Sequence, residues 1–454
     1  MKFKVHRDAL GITGLVIAFL GLLANPWLVG WLLNPSGRLG SRTLFLALAV
    51  FSAAGIAKGL YLAFADRRGL RRNLPNFALL AGTVAVTLAV AYTGYLAYRS
   101  ARMYQYVKTN QRGWKGSLFQ GHPELGYAPR PNSRGFMTFH IGPDLPVRHD
   151  ANGFRVPENA PDDPEPRRPV ILTLGCSATY ADACLAEEGY GFQLAQALGG
   201  TCVNAAMCGY GLEQTLVQAQ RLIPELKPDL VIVQYSGWLV ARSLQGFAPS
   251  YLGQLPVPYF DTTAAGQIAL QPALFREKIF EVPVADYQNE REGSAGEFLS
   301  FFFRAGLPLL LHDDRHAVRV RLQDALSRLL RDRPLLPGYE LGNEVVEYVY
   351  GEIGRMCREH DARMVVVLYG LDKDERLRFQ RPAVPGAAVA NADSALYSRL
   401  PDRTRETYYR AYAHWRGDPP ECVDAHPNAA AHAIIAQTIV EAVRTKDDEV
   451  IVHR

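Results

Sequence analysis

The sequence is poor in several features that would assign it a class at once. Its six cysteines (Cys176, Cys184, Cys202, Cys208, Cys357 and Cys422) make no CxxC pair and no zinc-like spacing. They suit a reducing or an oxidising compartment equally, so compartment must be read from topology. Charge of one sign is scarce. The net charge is +4 over 454 residues, and the C-terminal two-thirds holds no basic tract, which argues against a nucleic-acid partner. No small-residue cleavage site closes the first apolar stretch, and two more such stretches follow, so a cleaved signal peptide is not expected.

Long apolar runs are what the chain has in quantity. With 48% hydrophobic residues over this length it exceeds one compact core, and two or more parts are expected. Residues 9–33, 43–65 and 77–98 each match the ~20 residues a helix needs to cross hydrocarbon. The first is interrupted by Asn25-Pro26, which predicts a kink or an early end. The second contains Lys58, expected to face the bundle or snorkel. Buried helices of a soluble protein are the alternative, and three consecutive runs argue against it. Lys2, Lys4 and Arg7 precede the first run, and Arg67, Arg68, Arg71 and Arg72 join the second to the third. The intervening loop has only Arg38 and Arg42, so the positive-inside bias puts the N-terminus inside and the large C-terminal part outside. Arg99, Arg102, Lys108, Arg112 and Lys115 pull the other way.

Residues 1–98 are therefore read as a membrane anchor with three helices, and 99–168 as a Pro-, Gly- and Arg-rich connector with short strands such as GFMTFHI (135–141). Within it, PELGYAPRPN (123–132) and DANGFRVPE (150–158) stand out. Asn152-Gly153 marks a turn that Phe154 and Arg155 would dock against the next domain, unless it is an ordinary surface hairpin.

From residue 169 to 446 apolar β-type runs alternate with helical patterns. The strands are expected at 170–175, 201–206, 229–235, 363–370 and 387–392, and the helices around 190–199, 212–224, 340–360 and 428–444. Unbroken apolar strands alternating with helices predict a parallel sheet covered on both faces. The stretch 240–338 is too long for one crossover and is read as an insertion with loops, a hairpin and a helix near 315–332. Its HDDRH segment (312–316) has ligand-type side chains and reads as a charged patch rather than a metal site.

The stretch ILTLGCSATY (171–180) organises the rest. An apolar run that stops at Gly175 and opens into a helix puts Ser177 at the rim of a sheet, where ligands commonly sit. Alone, it could equally be a serine capping the next helix. Further along come VNAAMCGYGLEQ (203–214), whose Gly209 and Gly211 allow close backbone approach, QYSGW (234–238), and VDAHPNAAAH (423–432) with Asp424 and His426. Imidazole has the right pKa to take a serine proton at neutral pH, and a neighbouring carboxylate fixes its tautomer. Cys176 is the other candidate nucleophile, but the turn apex belongs to Ser177. His432 reads as a packing residue of the last helix, and Cys202 and Cys208 could pair if this part is exported.

Taken together, GCSATY, VNAAMCGYGLEQ and DAHPNAAAH resemble the first, second and fifth sequence blocks of the SGNH/GDSL hydrolases, over about residues 123–445. They are most similar to the membrane-anchored bacterial members, in which a connector like LGYAPRPN…NGFR precedes the catalytic domain. The resemblance implies a flavodoxin-like three-layer α/β/α domain with a parallel sheet. It also implies hydrolysis or transfer of acyl esters without metal or organic cofactor. Position by position it implies Ser177 as nucleophile, His426 as general base, and the N–H groups of Ser177 and Gly209 as the oxyanion hole.

The chain departs from the family in three places. Cys176 stands where Asp is frequent. Asp424-Ala425-His426 is one residue shorter than the usual DxxH. The third block lacks its Asn donor, Trp238 standing at the aligned place with only its indole N–H to offer; the expected outcomes are a slow enzyme, a donor or substrate contact recruited from Asn204, Gln234 or Trp238, or lost activity. Losing one such donor costs ~3 kcal/mol of transition-state stabilisation.

The expected function is a membrane-tethered serine esterase acting on an acylated cell-surface glycan or lipid-linked sugar. The expected location is the bacterial inner membrane with the catalytic part on the periplasmic side. The same acyl-enzyme with a sugar acceptor would be an O-acyltransferase of envelope polysaccharide, served by biosynthetic partner proteins. A non-catalytic glycan-binding or scaffold role is the third reading.

Overall fold

The computed structural model describes residues 2–33, 42–65, parts of 74–98, 114–115, 118–139, 141–161, 165–244, 246–250, 253–263, 267–273, 339–370 and 379–452. One compact unit is built on the N-terminal helices and a second on an α/β sheet.

In the first unit, α1 (Lys2–Leu23) stops at the Asn25-Pro26 break and α2 (Pro26–Leu33) follows, as the proline predicts. The helix α3 (Arg42–Ala65) packs on α1 through glycines. A Cβ on Gly59 would overlap the backbone of Ala18, and one on Gly21 would lie 2.8 Å from Ile56 N. Small residues at a crossing let two apolar helices approach closely, and the Ser52 hydroxyl donates across it to Gly21 O at 2.8 Å. Phe19, Leu20, Val50, Phe51 and Phe64 point outward. Among the described residues one helix, Phe45–Phe64, is long and apolar enough to cross a membrane, and Gly11–Leu23 is shorter. The third expected span is described only in part, residues 89–98 of it being helical.

The second unit begins with short strands: β1 (Trp114–Lys115), β2 (Phe119–His122), β3 (Gly126–Pro129), β4 (Arg134–Met137), β5 (Leu145–His149) and β6 (Arg155–Val156). Then come β7 (Val170–Leu174), β8 (Thr201–Asn204) and β9 (Leu230–Tyr235), and the hairpin strands β10 (Phe247–Ser250), β11 (Gly253–Pro256), β12 (Tyr259–Thr262) and β13 (Ile268–Gln271). The last are β14 (Arg363–Leu368), β15 (Ala388–Asn391), β16 (His414–Arg416) and β17 (Glu421–Asp424). The parallel core runs β8-β7-β9-β14-β15. On the β8 side β6, β5, β4 and β1 extend it antiparallel, so strands of the connector lie in the same sheet. The insertion contributes β10–β13, while its remainder, HDDRH (312–316) included, lies outside the described residues.

Side-chain alternation explains the unbroken apolar strands. Leu172, Leu174, Val231, Val233, Val366 and Leu368 share one core with the helices α6 (Leu212–Leu226) and α8 (Tyr339–Glu359), numbered after α4 (Ser177–Tyr180) and α5 (Tyr190–Leu198). Ile171, Ile232, Val365 and Val367 face the opposite core, which α5 shares with residues of the C-terminal third. Each fully buried Val, Leu or Ile stabilises by about 1.5–3 kcal/mol, so a strand covered twice needs apolar residues at every position. After β9 comes α7 (Gly237–Ser243). The C-terminal third adds α9 (Ala392–Ser398), α10 (Arg405–Tyr412) and α11 (Ala429–Val452). Counted along the chain, the parallel strands stand in the order 2-1-3-4-5, which reverses direction between β7 and β9. Crevices for ligands open beyond the carboxyl ends of the strands at such a switch. Ser177 follows β7 directly.

Candidate active site

Three chain segments converge on Ser177. Gly175 ends β7 because a Cβ there would run into Thr179 and Gln234. The turn then delivers Ser177 to the first position of α4, nearly buried at 7% exposure. From the far end of the sequence, β17 closes on Asp424, and Asn428 fixes the loop that follows. The Asn428 side chain accepts Ala431 N–H at 3.0 Å, capping α11, and donates to Ala411 O and Ala413 O. Between them, His426 Nε2 lies 2.9 Å from Ser177 Oγ and His426 Nδ1 lies 2.6 Å from Asp424 Oδ1. The shortened Asp-x-His spacing has a physical use. The same Asp424 Oδ1 also accepts the backbone N–H of His426 at 2.7 Å, so one oxygen holds both the main chain and the ring.

A residue the sequence did not single out completes the surroundings. Asp182 is 3% exposed, its Oδ1 accepts Ala183 N–H at 3.1 Å, and its Oδ2 lies 3.7 Å from His426 Nε2 with no hydrogen-bond partner. It is flanked by Ala181 and Ala183 in the left-handed region, at φ 64° and 66°. Each such alanine costs on the order of 1 kcal/mol and persists only where the surroundings impose it. Arg155 does so. Its buried guanidinium lies over the Tyr180 ring and donates to the carbonyls of Tyr180 (3.0 Å), Ala181 (2.7 Å) and Cys184 (2.6 Å). The turn of DANGFRVPE is thus docked on the loop beside Ser177. Nothing in a local pattern flags Asp182, since its position depends on this conformation.

The loop of VNAAMCGYGLEQ is held by the other connector fragment. Tyr127 Oη donates to Cys208 O at 2.7 Å, Tyr210 Oη donates to Tyr127 O at 3.0 Å, and Gln214 Nε2 donates to Leu125 O at 2.9 Å. Gly209, at φ 82°, takes a conformation a side chain would strain. Burial pushes the Glu213 carboxyl up to about 8, its own backbone N–H and the Arg242 guanidinium pulling the other way. The folded state therefore holds a proton that the unfolded chain releases near 4.5, and stability declines as pH rises from there toward about 8. Glu213→Gln is expected to flatten that decline. Thermal unfolding followed between about pH 5 and 9 reads it, and an unchanged slope would refute the assignment.

Each of the three candidate oxyanion or substrate contacts directs a donor inward. Asn204 Nδ2 donates to Thr179 O at 3.0 Å and its Oδ1 accepts Ala206 N–H. Gln234 Nε2 donates to Ser236 Oγ at 2.8 Å, while its Oε1 accepts from Thr179 Oγ1 (2.7 Å) and Cys176 N. The Trp238 indole N–H donates to Cys176 Sγ at 3.3 Å. The indole has a single N–H, so Trp238 offers it to an oxyanion only after rearrangement. Burial by itself raises the Cys176 thiol, but the Arg242 guanidinium, the indole N–H, the Ala178 N–H and the Ser177 hydroxyl together bring it below the usual thiol range. Cys202 and Cys208 are not bridged: both thiols are free and buried, and Cys202 packs beside Gly191. Among the described residues no cluster of His, Cys, Asp and Glu could hold a metal ion.

No family model matches the chain, and no curated protein does. Among solved structures it is similar to TesA, with a TM-score of 0.30 and 9% identity over 61% of this chain and 99% of the other. It is also similar to a carbohydrate esterase family 2 enzyme with a carbohydrate-binding domain from Corynascus thermopiles (Myceliophthora fergusii). There the TM-score is 0.25 and the identity 12%, over 67% of this chain and 71% of that one. Both likenesses are too distant to bear on the site, whose reading stands on the distances above.

Proposed function

We propose that the protein is a serine esterase of the SGNH type, tethered to the bacterial inner membrane with its catalytic unit outside, acting on an acyl ester of a cell-surface glycan or lipid-linked sugar. The observation that carries it is the relay Ser177 Oγ to His426 Nε2 (2.9 Å) and Nδ1 to Asp424 (2.6 Å), assembled from residues 249 apart in sequence. His426 takes the Ser177 proton as Oγ attacks the acyl carbonyl, and Asp424 holds the ring in the tautomer whose Nε2 accepts. The N–H groups of Ser177 and Gly209 receive the oxyanion. The imidazolium then protonates the departing sugar oxygen, and water activated by the same ring releases the acid. Strand order, helices on both faces and one apolar helix of membrane-spanning length support the flavodoxin-like and tethered parts of the reading.

Asp182 has a place in this sequence. It puts a carboxylate on the Nε2 side of the ring, where positive charge appears as the proton arrives. Asp182→Asn is expected to lower kcat about tenfold, roughly 1.4 kcal/mol, with KM little changed. Steady-state kinetics on a water-soluble acetyl ester would show it, and an unaltered kcat would remove Asp182 from the mechanism.

A fluorophosphonate probe tests the whole proposal. The expected adduct lies on the peptide containing Ser177 and is absent from Ser177→Ala. No labelling, or equal labelling of both proteins, would favour a non-catalytic glycan-binding role. Acyl appearing on an added sugar in preference to free acid would make the protein an O-acyltransferase using the same acyl-enzyme, supplied by a partner.

A further inference from the structure

A polar cavity lies beyond the ends of β14 and β15, apart from Ser177. It has a volume of about 430 Å³, within the range of small-molecule sites. Its walls come from the ends of β14 and β15 and from α9 and α10, and carry Arg381, Arg403, Arg405, Tyr397, Tyr408 and Tyr409. Three arginines and one carboxylate are among its lining residues. That carboxylate, Asp393, is buried, and its Oδ1 accepts Gly370 N–H at 2.7 Å. Neither Arg381 nor Arg403 has an ion-pair partner among the described residues. The Arg405 guanidinium lies 5.4 Å from the Tyr409 ring centroid, which turns it along the wall. The half-buried rings of Tyr397 and Tyr409 offer apolar surface beside the charges, and the buried Tyr408 backs Tyr397 at 4.9 Å.

The cavity joins the candidate active site through one side chain. Trp238 directs its indole N–H to Cys176, the neighbour of Ser177. The opposite edge of the same ring lies against Gly370 so closely that a Cβ there would overlap it. Gly370 lines the cavity, so a single indole separates the nucleophile's turn from the arginines. Behind the wall, the buried Tyr369 packs edge-on to Trp238, and its Oη lies 3.4 Å from Tyr408 Oη.

We propose that this cavity binds an anionic pyranose, a sugar carrying a carboxylate or a phosphate, as the part of the substrate next to the acylated residue. Arginine's planar fork matches both oxyanions in two-point geometry, and the tyrosine faces suit the C–H face of a sugar ring. Its role as a substrate subsite rests on the esterase reading, whereas the binding itself does not.

Calorimetric titration of the full chain carrying Ser177→Ala separates the two. Methyl glucuronide, glucose 1-phosphate, inorganic phosphate and glucose are compared. At least one charged sugar is expected to bind at least tenfold more tightly than glucose, and the tighter of the two identifies the acid. The exposed pair Arg403→Gln and Arg405→Gln should weaken it at least tenfold. Equal affinity for glucose, inorganic phosphate binding as tightly as the sugar phosphate, or an unchanged Kd in the double variant would each overturn the proposal. Co-sedimentation with phosphatidylglycerol vesicles that is lost in the double variant would do so too, in favour of a bilayer surface. With Ser177 restored, an acetylated glucuronide should show a lower KM than acetylated glucose, and the double variant should erase that difference. Charged-sugar binding without any turnover would sink the esterase reading and leave the binding site standing.

Discussion

Ser177→Ala is expected to reduce ester hydrolysis by at least ~10³-fold with the fold intact, since the change removes one small hydroxyl from a helix start. The magnitude follows from the absence of a substitute. Cys176 is the nearest alternative nucleophile, and its thiol is brought below the usual range by the Arg242 charge, the indole N–H and neighbouring donors acting against burial. Its sulfur is nonetheless fully buried, 3.3 Å from the Trp238 indole nitrogen and 3.5 Å from Gln234 Oε1. Its S–H is directed to Gln234 Oε1 and its sulfur accepts the indole N–H, so the group is tied inward rather than aimed at a carbonyl. Residual turnover in Ser177→Ala should therefore resemble general-base hydrolysis by His426, with no acyl-enzyme detected by mass spectrometry. Activity within tenfold of wild type, or an acyl adduct on Cys176, would show that the wrong side chain has been assigned the attack.

Much of this arrangement was open to reading before any coordinates. The strands at 170–174, 230–235 and 363–368 announce themselves because a twice-covered strand tolerates apolar residues alone. The turn after β7 follows from Gly175, and the pairing of Asp424 with His426 from their adjacency. Other features depend on contacts made across long separations, which leave no local mark. Asp182 sits between two ordinary alanines, and only the left-handed backbone that Arg155 imposes aims it at the ring. Gln234 and Asn204 look like available donors in sequence, yet the ends of β8 and β9 bury them against Thr179. Arg381 and Arg403 belong to different segments and share a cavity because β14, β15 and the helices after them bring those segments together.

The connector gains a physical role from the same contacts. Tyr127 clamps the loop carrying Gly209, and Arg155 clamps the loop carrying Asp182, so both walls of the Ser177 turn are held by residues that precede the parallel sheet. A buried guanidinium donating to backbone carbonyls costs several kcal/mol to remove, because those acceptors would remain buried and unpaired. That accounts for short strands rich in Arg and Pro being fastened to the sheet edge through β6 instead of forming a core of their own.

Asp424→Asn is the second large effect, an expected loss of about 10²–10⁴ in kcat/KM. The carboxylate does two things that an amide does poorly at once. One oxygen accepts both the His426 backbone N–H and the Nδ1 proton, at 2.7 and 2.6 Å, and its charge favours the imidazolium formed during attack. An asparagine that keeps the backbone bond through its carbonyl loses the charge. One that turns its NH₂ toward Nδ1 forces the proton onto Nε2, where it can no longer accept from Ser177. Asp182 decides how far the loss goes. If its carboxylate, 3.7 Å from Nε2, supports the same imidazolium, then Asp182→Asn should cost less in the Asp424→Asn background than in the wild type, because the ring is by then rarely in the accepting tautomer. Costs that simply add would mean that the two acids act on separate steps. An Asp424→Asn enzyme within threefold of wild type would mean that the ring is held by its loop, and that the short Asp-x-His spacing serves the turn alone.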